Sequence, residues 1–203
     1  MNIKISVTMS EVRISKEQLI NSYKTADNET KKTLEAIFGK EMFKPKDIKE
    51  RIKTFEDARS ELGSAHPLVE EYETITCRCG GLSADILAYM KLRIIAAALN
   101  EGWEPQFAED EWRYFPWFYL YTQKEIDEMD EEEKARVVYR SYYFANASGG
   151  VACAYTSHDS PSTYTSIGSR LAFKSSELAK YAGEQFVEIW ADYVFKPDEK
   201  QGK

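Results

Sequence analysis

The segment from 112 to 121 reads Trp-Arg-Tyr-Phe-Pro-Trp-Phe-Tyr-Leu-Tyr and carries seven aromatic residues in ten positions. Aromatic side chains favour strands, and the proline predicts that this strand lies at a sheet edge or contains a bulge. Side chains alternate along a strand, so the rings divide between two faces. One face would carry Trp112, Tyr114 and Phe118, and the other Phe115, Trp117, Tyr119 and Tyr121.

A sheet covered by helices on one face needs only one apolar set of side chains. The second set of rings must then meet another layer, a partner, or a ligand that stacks on flat rings, such as a sugar or a base. The alternative is that both sets belong to the core. A homodimer interface is a third explanation of the aromatic excess.

The rest of the chain alternates between helix and strand signals. Ser15 and Gln18 have the spacing of a capping box, which predicts a helix over 16–25, and Gly39 is expected to end a second helix that Asn28 caps. Apolar periodicity predicts three further long helices, and alternation with turn signals predicts three further strands. The expected helices cover about 45–62, 84–101 and 176–195, and the strands 137–147, 150–157 and 164–173, with Gly149-Gly150 as a hairpin turn.

These elements predict an α+β fold, with a mainly antiparallel four-stranded meander packed against two helices and an N-terminal helical arm. We expect residues 1–63 to form an N-terminal strand and the helical arm, and 64–82 to form a linker. The α+β core domain then occupies 83–195, and 196–203 are a disordered tail.

The composition is that of a chain able to build a core. Of the 203 residues, 43% are hydrophobic and 30% charged, which excludes a disordered or low-complexity protein. No stretch of about eighteen apolar residues is present, so no membrane span is expected. The N-terminus alternates polar and apolar residues, which disfavours a secretory signal and predicts a cytoplasmic location in the host cell.

The net charge of −7 is concentrated in one part of the chain. Residues 100–136 carry four basic and twelve acidic side chains. A nonspecific nucleic-acid binder needs a basic face to displace counterions from phosphates. The charge therefore argues against such a role.

The cysteines and acid–base residues give only weak signals of a site. Cys77 and Cys79 form one close pair without a second, so we expect reduced thiols, no metal and no cofactor. Cys153, His158 and Asp159 include the residue types of a thiol nucleophile, but a strand followed by a turn does not bring them together. No catalytic residue is therefore assigned.

The Ser/Thr-rich segment from 157 to 169 precedes Arg170, whose guanidinium can bind an anion bidentately. Together with the second aromatic face it predicts a non-enzymatic binding or interaction protein for a nucleotide, a sugar or a protein partner. The candidate ligand-binding residues are Trp112, Tyr114, Trp117, Tyr119 and Arg170. The alternative is a small intracellular enzyme that acts on a polar substrate through His158 and Asp159, or through an acidic pair from Glu109, Asp110 and Glu111.

Four segments, at 50–58, 88–95, 114–118 and 168–186, resemble a group of small proteins recurrent in gut-bacterial phages and prophages. The resemblance spans about 45 to 195, and its most specific part reads GSRLAFKSSELAKYAGEQF. That group has no established activity, so the resemblance implies a phage or mobile-element origin and no site residues.

Overall fold

In the computed structural model, the chain divides into two compact units, Met1–Lys46 and Asp47–Lys203. The structure describes residues 14–78, 80–106, 108, 111–142, 147–159 and 169–194. None of the helices within these ranges combines the length and the apolar character that crossing a membrane requires.

Ten α-helices and three strands are formed by the described residues. The helices are α1 (Lys16–Thr25), α2 (Asn28–Phe38), α3 (Ile48–Arg51), α4 (Phe55–Leu62), α5 (Pro67–Arg78), α6 (Ala84–Asn100), α7 (Gln123–Glu128), α8 (Glu131–Lys134), α9 (Ser176–Gln185) and α10 (Val187–Val194). The strands are β1 (Arg113–Thr122), β2 (Val138–Tyr142) and β3 (Ala147–Asp159). Short 3₁₀ turns occupy Lys40–Met42 and Ser169–Leu171.

The first unit contains α1 and α2, and local capping sets their ends. The capping box of Ser15 and Gln18 forms as predicted, and α2 ends at Gly39, whose φ of 83° is a conformation that glycine adopts without strain. The N-cap of α2 is Asp27, one residue before the predicted Asn28. The Tyr23 ring stacks on Phe43 with centroids 4.2 Å apart.

The core of the second unit forms around α6, whose apolar residues cover more than one side of the helix. The core also takes residues from α3, α4, α5, α9 and α10. Its most deeply buried side chains are Ile52, Val69, Leu92, Ile94, Ile95, Leu99, Leu171, Phe173 and Trp190. The structure thus differs from the predicted division: the unit boundary lies after Lys46, and part of the expected linker is α5, which contributes Val69.

Two of the predicted long helices are each interrupted. The first breaks between α3 and α4, where the Tyr181 hydroxyl donates to the carbonyl oxygens of Lys49 (2.9 Å) and Ile52 (2.7 Å). Gln185 donates to the carbonyl oxygen of Lys53 at 2.8 Å. Side chains of α9 therefore satisfy carbonyls that an uninterrupted helix would have used internally. The predicted helix over 176–195 likewise breaks at Phe186.

The expected α+β fold with a four-stranded meander and two helices is wrong, because helices dominate the described residues. The three strands lie in the order β1-β3-β2 with antiparallel pairing, so β1 is next to β3 and not next to β2. Helices α9 and α10 pack against this small sheet, and α7 packs on β1 and β3.

Two of the predicted strand features fail for separate reasons. Gly149 and Gly150 lie inside β3 and not in a hairpin turn, because they pair with both β1 and β2. The predicted strand over 164–173 is replaced at its end by the 3₁₀ turn, and only Phe173 bridges to β1, at Tyr114. Its first part, like the predicted strand before residue 10 and the predicted tail, lies outside the described residues.

Ion pairs at the end of α6 connect distant parts of the second unit. Glu101 accepts from Arg51 at 2.8 Å and from Lys174 at 3.0 Å. These hydrogen bonds, from Lys174 first and then from Arg51, lower the pKa of the Glu101 carboxyl below its ordinary value. A depressed carboxyl pKa in the folded state stabilises the protein above the unfolded pKa, and this stabilisation is lost as the pH falls through the folded value.

We expect Glu101→Gln to lower the free energy of unfolding at pH 7 by about 0.5–1 kcal/mol, because the pairs are partly exposed. Glutamine keeps the side-chain shape at this left-handed position, so the change isolates the charge. The difference in the free energy of unfolding between the variant and the wild type should shrink as the pH falls below about 4.3, the ordinary glutamate pKa. Urea unfolding at several pH values measures this difference. Glu184→Gln, which removes an exposed pair with Lys180, is the control and should cost less. A deficit that grows toward acid pH would contradict the assignment.

Candidate functional site

The aromatic segment forms β1, a strand at one edge of the sheet. Its register with β3 shifts between Trp117 and Phe118, next to Pro116. Proline cannot donate to a strand ladder, so an edge strand with a local irregularity accommodates it. At its far end Thr122 caps α7 through a capping box with Glu125, which fixes where the strand stops.

One face of β1 belongs to the core. Tyr114 and Phe118 pack against the main core, and the Phe118 ring lies 5.3 Å from the ring of Trp190 on α10. Pro116, which lies between them on the same face, is fully buried. This face is thus occupied by the protein's own helices.

On the opposite face of β1, coverage by the described residues is greatest at the two ends. Phe115 is buried at one end, while Tyr121 packs against Ile126 of α7 at the other. Between them, Trp117 is 42% exposed and Tyr119 is 52% exposed. We call these two residues the aromatic strip. The Tyr119 and Tyr121 rings are 5.8 Å apart, so the strip is continuous with the ring that α7 covers.

The predicted site residues do not form one site. Trp112 is 54% exposed and precedes β1, and the strip contains Trp117 and Tyr119. Tyr114 packs in the core instead. Arg170 is exposed and lines a separate cleft. The first residues of the Ser/Thr-rich segment, 157–159, are the end of β3. Residues 160–168 of that segment lie outside the described residues.

The strip has acidic neighbours. Burial of the Tyr121 ring raises the pKa of its phenol, and electrostatic interaction with Tyr119 and with the carboxylates of Glu133 and Glu125 raises it further. The acidic run after β1 forms α7 and α8, and Asp130 with Glu133 makes the capping box of α8. Some of these acids therefore cap helices while most of them remain exposed to solvent.

The cleft has a volume of 260 Å³ and lies between α5, α6, the segment after α6, and the 3₁₀ turn at Ser169–Leu171. Its lining combines apolar side chains with two guanidinium groups and two other polar residues. The lining residues are Leu68, Arg93, Ala96, Ala97, Asn100, Trp103, Glu104, Pro105, Arg170 and Ala172. Of these residues, only Arg170 is among the ligand-binding residues predicted from the sequence.

Trp103 reaches the cleft because α6 ends in two left-handed residues. Glu101 has a φ of 51° and Gly102 a φ of 83°, and the Trp103 amide then donates to the carbonyl oxygen of Asn100 at 3.0 Å. The chain thus folds back over the last turn of the helix. The sequence carries a signal of this helix end, because Gly102 and then Trp103 directly follow the long apolar helix.

Most of the remaining candidates for chemistry lie outside the part of the chain whose side chains the structure describes. Cys77 is an exposed thiol near the end of α5, and Cys79 lies outside the described residues. Where the structure is described, it contains no group of three or more His, Cys, Asp or Glu side chains that could hold a metal ion. Of the acid–base candidates, His158 and Asp159 lie on the backbone of β3, and residues 109 and 110 lie outside the described residues.

Among the described residues, the aromatic strip and the arginine-lined cleft are the features best suited to recognise another molecule. No family model matches this chain, and comparison with curated proteins and with solved structures finds no significant similarity.

Proposed function

We propose that this is a non-enzymatic binding protein whose contact surface is the aromatic strip. The exposure of Trp117 and Tyr119 on one face of β1 is the observation that carries the proposal. Tryptophan and tyrosine are the residues that contribute most to binding energy at interfaces. Burial of each exposed ring by a partner supplies roughly 1.5–3 kcal/mol.

The strip is held in place before any partner arrives. Its strand pairs with β3 along its length, and the opposite face of β1 is fixed by Tyr114 and Phe118 in the core. Two rigid side chains on an ordered strand lose little conformational freedom when they are covered. The ordering cost of binding is therefore small.

The charge around the strip decides between partner classes. Glu125, Asp127 and Glu128 on α7 are exposed next to the end of β1. Acidic neighbours repel nucleotides and nucleic acids, whose phosphates need basic partners. They attract lysine and arginine, which also interact favourably with the faces of aromatic rings. We therefore propose a protein partner with a basic surface.

The enzyme alternative, through His158 and Asp159 or an acidic pair from Glu109, Asp110 and Glu111, stays a separate proposal that an activity assay would test. A phage or mobile-element origin and a cytoplasmic location remain proposals that rest on the sequence segments and composition alone. A neutral glycan and a second copy of this chain are the competing occupants of the strip, and the experiment below separates them.

We expect the double variant Trp117→Ala/Tyr119→Ala to lose a basic protein partner that the wild type binds. Quantitative mass spectrometry of proteins captured from cells that naturally express the chain identifies the partner, and calorimetry with the purified partner measures its Kd. The loss of two buried rings should weaken binding at least about tenfold. The affinity of the wild type should fall as salt increases, because exposed charges are screened.

Ile86→Ala is the matched control, because it removes an exposed apolar side chain from α6 instead of from the strip. It should leave the Kd unchanged. Equal capture by the wild type and the double variant would overturn the proposal. So would a glycan array signal without a protein partner, or sedimentation showing that the strip joins two copies of this chain.

A further inference from the structure

The 260 Å³ cleft at the end of α6 is a second recognition site, on different elements from the strip. We propose that it binds a small carboxylate whose body is flat or apolar and about the size of one ring. The cleft shares no residue with the strip, so binding there does not depend on whether the strip binds a protein.

The walls of the cleft suit an apolar body. Trp103 is half-buried and forms one side, Leu68 and Pro105 are also half-buried, and the methyl groups of Ala96 and Ala172 come from buried positions. Small-molecule sites are mostly apolar with a few polar groups that set the orientation, and they begin at about 300 Å³. A cleft slightly below that size admits a single ring with its substituent.

Two guanidinium groups supply the polar end. The Nη1 atom of Arg93 lies 3.0 Å from the carboxylate of Glu71, which holds that side chain in place on α6. Arg170 is exposed and lines the cleft, and its side chain forms none of the hydrogen bonds or ion pairs found among the described residues. Its donors are therefore available to an incoming anion, and a guanidinium matches a carboxylate with two parallel hydrogen bonds.

The other charges at the cleft favour a ligand that carries one negative charge. Glu104 is exposed at the cleft, and Ala97 and Asn100 belong to the last turn of α6, where the helix dipole is negative. A phosphate or polyphosphate would meet this repulsion with two or more charges, whereas a carboxylate carries one. The cleft therefore fits a monocarboxylate better than a nucleotide.

Benzoate is the probe, and benzamide and inorganic phosphate are the comparisons. Saturation-transfer NMR and calorimetry on the full chain should show saturable binding of benzoate. Benzamide, which has the ring but no negative charge, and phosphate, which has the charge but no ring, should each bind at least about tenfold more weakly. Arg170→Gln and Trp103→Ala should each raise the Kd for benzoate about tenfold or more.

Arg136→Gln is the matched control, because it removes an exposed arginine that pairs with Glu132 on α8, outside the cleft. It should leave the Kd for benzoate unchanged. Circular dichroism verifies that each variant is folded. If Trp103→Ala is unstable, Trp103→Phe replaces it as the test; this variant keeps a ring and should retain most of the affinity for benzoate. Absence of saturable benzoate binding would overturn the proposal. So would equal binding of benzamide, or tighter binding of phosphate.

Discussion

Replacing Trp190 by alanine is expected to lower the free energy of unfolding by about 3–5 kcal/mol. Trp190 is 1% exposed and lies where α10 meets β1, with the rings of Phe118 at 5.3 Å and Tyr193 at 6.1 Å. Its indole nitrogen donates to the carbonyl oxygen of Ala182 on α9 at 3.1 Å. The substitution removes the largest core side chain and one of two donors to that carbonyl, which also accepts from the Phe186 amide at 3.2 Å.

Urea unfolding followed by far-UV circular dichroism measures the effect, and the midpoint should fall while the slope stays constant. Trp117→Ala is the matched control, since it deletes the same side chain from the partly exposed strip and should cost clearly less than Trp190→Ala. If Trp190→Ala does not fold, Trp190→Phe should still cost about 1–2 kcal/mol. Equal losses at positions 190 and 117 would contradict the division of rings between the core and the strip.

Sequence reasoning succeeded where the decisive contacts lie within a few residues. The capping box of Ser15 and Gln18 and the stop at Gly39 depend on groups separated by less than one helical turn. The break after α3 could not be predicted in this way. The donor to the Ile52 carbonyl is Tyr181, which lies 129 residues away, while the apolar periodicity continues through the break.

The same distinction explains the outcome for the sites. Alternation along β1 separated Tyr114 and Phe118 from Trp117 and Tyr119, because a strand's geometry is local. It could not show which face the helices cover at a given position. The cleft was not predictable, since it combines residues near positions 68, 100 and 170, and only the packed fold brings them together. Arg170 was proposed for its anion-binding chemistry, and the structure shows that it also lines the cleft.

Asn100 connects the fold to the cleft, and Asn100→Ala is expected to lower the free energy of unfolding by about 2–4 kcal/mol. The side chain is 4% exposed, donates to the carbonyl oxygen of Ala172 at 2.9 Å, and accepts from the amide of Lys174 at 3.0 Å. Truncation leaves two backbone groups without these partners, each at a cost of about 1–3 kcal/mol when buried. The segment so released follows directly after Arg170, so benzoate affinity should fall as well.

Gln185→Ala provides the control, because that side chain also donates to a backbone carbonyl, at 2.8 Å from Lys53, but is exposed. Water can replace its bond, so it should cost less than about 1 kcal/mol. Asn100→Asp separates the two bonds: it keeps the acceptor for Lys174 and loses the donor to Ala172 while its carboxyl is ionised. Protonation restores a donor, so this variant should gain stability relative to Asn100→Ala as the pH falls toward about 4. Urea unfolding of both variants at pH 7 and pH 4 measures that gain, and a constant difference between them would show that the bond to Ala172 contributes nothing.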